Sequence, residues 1–126
     1  MTRSALMVWG GWDGHEPRQC VERIAPLIEA AGFDVTIRED LEALTESAAH
    51  QVVVPCWTMG TLSEEQERAV VEAVRAGTGL AGWHGGLGDA FRSNSEYQFV
   101  VGGQFVAHPG GIKEYQVEIT VPEHPI

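Results

Sequence analysis

Cysteine is scarce in this chain of 126 residues, which contains only Cys20 and Cys56. The two thiols form no Cys-x-x-Cys pair, and two isolated cysteines do not make the disulfide framework of a small secreted domain.

Long apolar runs are also missing. The run Ala5–Trp9 is too short for a signal peptide, and no segment approaches a membrane span of about 18 apolar residues. These absences predict a cytoplasmic protein without a membrane partner.

Basic residues are also few. The chain has 8 Lys and Arg and 18 Asp and Glu, which give a formal net charge of −10. No cluster of basic residues overrides this balance locally. A surface of this sign repels nucleic acid and anionic membranes, so neither is expected as a partner. Solubility explains the acidity, since charged helix faces are usually solvated.

The chain has enough apolar material for one folded domain, since 44% of its residues are apolar and 21% are charged. Buried or alternating apolar runs predict strands, and a Glu-Pro pair and a Ser-x-x-Gln capping box predict helix starts. The predicted strands are Ala5–Trp9, Phe33–Ile37 near an edge, Gln51–Val54 ended by Pro55, Gly79–Trp83 and Tyr115–Val121. The predicted helices run from Glu16 to Gly32 with a kink or shortening at Pro26, from Ser63 to Gly77, and briefly within Asp89–Val101.

The alternation of strands and helices predicts an α/β fold with a mostly parallel sheet and helices on its faces. In such sheets ligands bind beyond the carboxyl ends of the strands. Three segments with unusual residues follow predicted strands, and parallel strands would gather them at one edge. These segments are Trp12–His15, Pro55–Met59 and Trp83–Gly86.

His84 follows a predicted strand and lies between Gly82 and the pair Gly85-Gly86. In α/β enzymes the catalytic nucleophile often lies on a sharp turn of this kind after a strand. Histidine makes a covalent acyl-enzyme a poor expectation, but it suits a general acid or base or a metal ligand. The alternative is a histidine that only bonds to backbone groups of a tight turn.

Three histidines, His15, His84 and His108, are candidates for a three-imidazole site that holds a divalent transition metal such as zinc. Their spacing supports this weakly, because no His-x-His or His-Glu-x-x-His pattern fixes the geometry. The alternative is that each one bonds within its own loop. His50 precedes a strand and is expected at the surface, and His124 carries no assignment.

Other side chains near the predicted cleft have both a functional and a structural interpretation. Trp12, Trp57 and Trp83 would stack on sugar rings or pack in the core. Asp13 lies near the same turns, while Glu16 and Asp89 are expected to serve helix ends. Cys56 is expected to be a buried structural thiol, and a thiol enzyme would require its pKa to lie well below the usual 8.5 or so.

Several segments together resemble the ThuA-like (trehalose-utilisation) family. The resemblance runs from residue 8 to the end of the chain. The segments are Val8–Pro17, Gly82–Arg92, Glu96–Phe99, Val101–Phe105, His108–Gly111 and His124–Ile126.

The resemblance implies the class I glutamine amidotransferase-like fold, a flavodoxin-like three-layer sandwich. It also implies that His84 replaces the catalytic cysteine of that superfamily, so glutamine hydrolysis is not expected. Family members are associated with trehalose and related disaccharides, often beside sugar dehydrogenases that form 3-keto sugars. ThuA-like domains usually continue past the His-Pro-Ile motif, so residues 1–126 are expected to be the N-terminal and central part of a domain truncated at its C-terminus. Such a cut would favour pairing of an exposed sheet edge in a homo-oligomer.

Two functional hypotheses follow. The first is an enzyme of disaccharide or keto-sugar metabolism with a histidine-based, metal-assisted site. The second is a non-catalytic carbohydrate-binding or interaction module, since a fold does not fix a function. The candidate catalytic residues are His84, His15 and His108, which are also the candidate metal ligands. The candidate substrate-binding residues are Trp12, Asp13, Trp83, Gly85, Arg92 and Gln98, with an ion pair as the alternative role of Arg92.

Overall fold

The structure is a computed structural model that describes residues 3–124. Its centre is a four-stranded sheet in which every pair of neighbours is parallel, in the order β2-β1-β3-β4. The strands are β1 Arg3–Gly11, β2 Phe33–Arg38, β3 Val52–Thr58 and β4 Gly79–Leu80. The predicted α/β fold is therefore confirmed, and so is the position of the second strand at an edge.

Strand β1 divides the core into two parts, because successive side chains of a strand point to opposite faces of its sheet. Leu6 and Val8 lie in one apolar cluster, and Met7 lies in the other. All three side chains are at most 1% exposed. A strand that is buried on both faces has a continuous apolar sequence. The run Ala5–Trp9 has this pattern, and it predicted β1.

Helices cover both faces and give the three layers of a flavodoxin-like sandwich. Helix α1, Pro17–Ala30, packs Val21 and Ala25 against the Met7 cluster. Helix α2, Glu64–Ala76, packs Val70 against the Leu6 cluster, where the 3₁₀ segment Leu41–Ala49 also contributes. Two shorter helices follow, α3 at His84–Gly88 and α4 at Ser95–Val101. A short helix was predicted within Asp89–Val101, and α4 is that helix.

The ends of α1 and α2 follow from their sequences. Pro17 occupies the first turn of α1, where its missing N–H costs nothing. Pro26 does not end this helix, which continues to Ala30. Ser63 and Gln66 form the predicted reciprocal capping box, and Gly77 ends α2 at a φ of 113°, a left-handed conformation that glycine adopts without strain.

Two predicted strand ends are wrong. Strand β3 runs through Pro55 to Thr58, because β4 pairs with it only at Val52 and Val53. Beyond Val53 no described strand covers that edge, and an open edge accepts a proline. Strand β4 itself ends at Leu80 rather than Trp83, since the chain then turns away towards α3.

The predicted last strand, Tyr115–Val121, does not form. Its residues have no regular secondary structure, and Tyr115, Val117, Ile119 and Val121 are each at least 59% exposed. Alternating apolar residues form a strand only where a neighbouring strand accepts and donates hydrogen bonds to their backbone groups. None of the described strands pairs with this segment. Among residues 3–124 no helix is long and apolar enough to cross a membrane.

The capping box provides a test of this fold. We expect Ser63→Ala to lower the free energy of unfolding by about 1 kcal/mol, because the N–H of Gln66 loses its acceptor. Urea unfolding followed by circular dichroism measures the change. Ser93→Ala, in an exposed turn, is the matched control. Equal unfolding midpoints for the two variants would contradict the assignment.

Candidate active site

Three loops meet beyond the carboxyl ends of the strands, as the sequence predicts. The loop after β1 is joined to the end of β3, because the N–H of Trp12 donates to the carbonyl of Thr58 at 3.2 Å. The segment after α3 is joined to the loop after β3, because the N–H of Met59 donates to the carbonyl of Asp89 at 2.9 Å. The loops therefore form one connected surface.

Backbone strain is concentrated on these loops. Glu16, Met59 and His84 have φ values of 47°, 59° and 47°, and they are the only non-glycine residues with positive φ among those described. Each such residue costs on the order of 1–3 kcal/mol and persists only where its surroundings impose it. Each follows a different strand of the sheet, so the strain coincides with the edge at which ligands bind in this class of fold.

His15 and His84 form an imidazole pair at the centre of this surface. Their ring centroids lie 4.9 Å apart and their planes are at 75°. His15 is half-buried and His84 is exposed. The pair brings together two of the three histidines that the sequence predicts to be catalytic.

Thr58 orients His15. Its Oγ1 lies 2.8 Å from Nδ1 of His15, and its side chain is only 3% exposed. The sequence analysis missed this residue. The available signal was a hydroxyl at the last position of a buried parallel strand, where ligands bind.

Gly85 is required for the close approach of the two histidines. A Cβ at this position would lie 2.5 Å from Cε1 of His15 and 2.8 Å from its Nδ1. Gly86 has a similar role, since a Cβ there would lie 3.0 Å from Cα of Cys56. The glycines after His84 thus allow α3 to pack against β3 and the His15 loop.

A cavity of about 420 Å³ opens beside the pair and is lined by His15, His84, Gly85 and His108. His108 is exposed, and its ring lies 4.7 Å from the ring of Phe105. All three predicted histidines therefore border one cavity, but only two of them are in ring contact.

The predicted three-imidazole metal site is not assembled. Among residues 3–124 no group of three or more His, Cys, Asp or Glu side chains is placed to hold a metal ion. A catalytic zinc site uses three protein ligands, so the described donor set does not fit one.

The tryptophans and Asp13 differ in their placement. Trp12 is 50% exposed and meets His15 edge-on at 4.7 Å. Asp13 is exposed in the 3₁₀ turn Asp13–His15 and does not line the histidine cavity. Trp83 is half-buried, packs against the Met7 cluster and lines a small cavity behind the histidines. Trp57 packs against the Leu6 cluster. Trp57 and Trp83 therefore both make core contacts, which was the alternative to stacking on a sugar ring.

Arg92 and Gln98 do not line the histidine cavity but a neighbouring one. Arg92 pairs with Asp89 through two hydrogen bonds, one of which joins Nη2 to Oδ2 at 2.8 Å. The hydrogen bond to Asp89 raises the pKa of Arg92. Gln98 is buried, and its Nε2 donates to the carbonyl of Phe91 at 2.9 Å. The ion pair expected as the alternative role of Arg92 is present.

Cys56 is a structural thiol. It is 4% exposed, and burial raises its pKa to about 11. A nucleophilic cysteine needs the opposite shift, so the burial of Cys56 favours the structural role.

The two remaining histidines lie outside the cavity lining. His50 is half-buried rather than at the surface as predicted, and its buried Nδ1 has no hydrogen-bond partner among residues 3–124. His124 lies in the irregular segment after α4. Pro125 and Ile126 of the His-Pro-Ile motif lie outside the described residues.

A family model named ThuA, described as trehalose utilisation, matches residues 4–126. No curated protein and no solved structure matches the chain significantly.

The raised pKa of Cys56 predicts its reactivity. With a pKa of about 11, roughly one thiol in 10⁴ is ionised at pH 7, and burial blocks access further. We expect iodoacetamide to modify half-buried Cys20 first, and Cys56 only in urea. Peptide mass spectrometry after native and denatured alkylation measures both sites. Native alkylation of Cys56 at the rate of Cys20 would contradict the assignment.

Proposed function

The chain belongs to the ThuA family, and on that premise we propose that it is an enzyme that acts on a keto derivative of a disaccharide by proton transfer. The observation that carries the proposal is the His15–His84 pair, at 4.9 Å between ring centroids, beside a cavity at the carboxyl edge of a parallel sheet. The family supports trehalose-related chemistry. A keto sugar arises by oxidation of a secondary alcohol, so a sugar dehydrogenase would be the functional partner.

Two imidazoles suit the chemistry of a ketone. The carbonyl acidifies the neighbouring C–H bond, and a base that removes this proton leaves the electron pair as the C=C bond of an enol. The carbonyl oxygen then receives a proton from an acid on the other side. Histidine is the side chain most often used in both roles near neutral pH.

The environments of the two histidines favour different roles. A buried hydroxyl needs an acceptor, and among the described residues the hydroxyl of Thr58 meets only Nδ1 of His15. If the Thr58 hydroxyl donates to Nδ1, the proton of neutral His15 is on Nε2. His15 can then donate this proton to the carbonyl oxygen of the keto sugar. His84, which is exposed and strained at the start of α3, is then the base. His108 lines the same cavity from the irregular segment after α4 and would assist in binding the sugar.

Trp12 is half exposed and in ring contact with His15, so it would serve as a platform that packs on the C–H side of a sugar ring, although it does not line the histidine cavity itself. Asp13 is exposed in the same turn and would accept hydrogen bonds from hydroxyl groups. Gly85 lines the cavity and lets α3 lie against His15, because a Cβ there would meet the His15 ring. Hydrophobic and polar contacts of this kind are typical of small-molecule cavities.

The test is hydrogen exchange on the 3-keto derivative of trehalose. In D₂O, the wild type is expected to accelerate deuterium incorporation at the carbon next to the carbonyl, as measured by NMR above the rate without protein. We expect His84→Gln to lower this rate by about 10²- to 10⁴-fold, the usual contribution of a general base. His50→Gln, at the opposite end of β3, is the matched control. Full exchange by His84→Gln would overturn the proposed role.

A second candidate function is a non-catalytic carbohydrate-binding module. The exposed ring of Trp12, and that of Phe99 beside the neighbouring cavity, favour it. Calorimetry separates the two candidates. Binding of the keto sugar without faster exchange would assign the module, and binding with exchange would assign the enzyme.

The contact of Thr58 with His15 gives a separate prediction. We expect Thr58→Val to lower kcat by about three- to tenfold with little change in KM, the equivalent of one hydrogen bond. Nitrogen-15 NMR of the imidazole should show loss of the single Nε2–H tautomer. Thr58→Ser retains the hydroxyl and should retain both the tautomer and kcat. Unchanged tautomer and kcat in Thr58→Val would refute the positioning role.

A further inference from the structure

A second cavity of about 470 Å³ adjoins the histidine cavity. It is lined by Arg92, Ser95, Gln98, Phe99 and the segment 102–104. The same segment, Gly102, Gly103 and Gln104, also lines the histidine cavity. The two spaces are therefore neighbours that share one wall.

Two features of the second cavity are unexplained by packing. Phe99 is 78% exposed although it lies on helix α4. Gln98 is 8% exposed, and residues 3–124 provide no hydrogen-bond partner for its buried Oε1. An unsatisfied buried carbonyl costs about 1–3 kcal/mol, so a donor group that reached this oxygen would recover that energy.

The charges of this cavity select a neutral ligand. Arg92 is its cationic side chain, and Asp89 compensates it through two hydrogen bonds. The chain as a whole carries a formal charge of −10, which repels anions. An exposed aromatic ring beside an unpartnered acceptor is instead complementary to a neutral group with one apolar face and several hydroxyls.

We propose that this cavity is the subsite for the second ring of a two-ring sugar, with Phe99 as its stacking platform and Gln98 as an acceptor for a ring hydroxyl. The inference rests on the proposed function, since it places the reacting ring at the histidine pair. It adds that Phe99 and Gln98 determine the preference for a disaccharide over a single ring.

The experiment compares kcat/KM for two probes, the 3-keto derivative of trehalose and the methyl glycoside of 3-ketoglucose. The wild type is expected to prefer the two-ring probe. Phe99→Ala should lower the ratio of the two kcat/KM values by about tenfold, which corresponds to roughly 1.4 kcal/mol for one aromatic contact. Phe99→Trp retains a platform and should retain the ratio.

Two further variants complete the test. Gln98→Met retains the length of the side chain and should also lower the ratio. Leu27→Ala removes a 65% exposed apolar side chain from α1, away from both cavities, and is the matched control. Circular dichroism checks that each variant is folded.

The outcomes distinguish the two proposals. Turnover of both probes with the same ratio in wild type and Phe99→Ala would overturn the subsite and leave the proposed function intact. Turnover of neither probe by the wild type would overturn both. A lowered ratio in Phe99→Ala that Phe99→Trp restores would establish the subsite.

Discussion

The parallel pairing of β1 with β3 is the constraint on which the rest of the structure depends. It runs from Ala5 opposite Val52 to Gly11 opposite Thr58. Because both strands are buried on their two faces, neither can shift by one residue without moving its apolar side chains to the wrong layer. The pairing therefore fixes the end of β1 against the end of β3, and with it the position of His15 against Thr58. The site is a consequence of strand register.

Close backbone approach at this edge explains the strained residues. The glycine after His84 lies where any Cβ would collide with the His15 ring. His84 itself is held at a φ of 47° between the open end of β4 and the buried glycines of α3. Packing of α3 against β3 stabilises this geometry, so the energy that holds an exposed imidazole in place comes from buried contacts beneath it. Such a residue is preorganised, and no movement is required to bring the two rings together.

The sequence predicts those parts of the molecule that local patterns determine. The apolar run of β1, the capping box of α2 and the glycine turn at His84 each depend on neighbouring residues, and each is present in the structure. Tyr115–Val121 shows the limit, since its alternation satisfies the local pattern but a strand also needs a partner. Thr58 was missed for a related reason. Its role arises from a contact with His15, which lies 43 residues away in the sequence, and no local pattern encodes such a contact.

Asp89 and Arg92 connect the two cavities. The carbonyl of Asp89 accepts the N–H of Met59 in the loop after β3, and its carboxylate binds Arg92. The carbonyl of Arg92 in turn accepts Nε2 of Gln104 at 2.8 Å. A chain of contacts thus runs from the strained loop after β3 to the wall that both cavities share. The same hydrogen bonds therefore link the end of β3, beside Thr58, to the segment that lines both cavities.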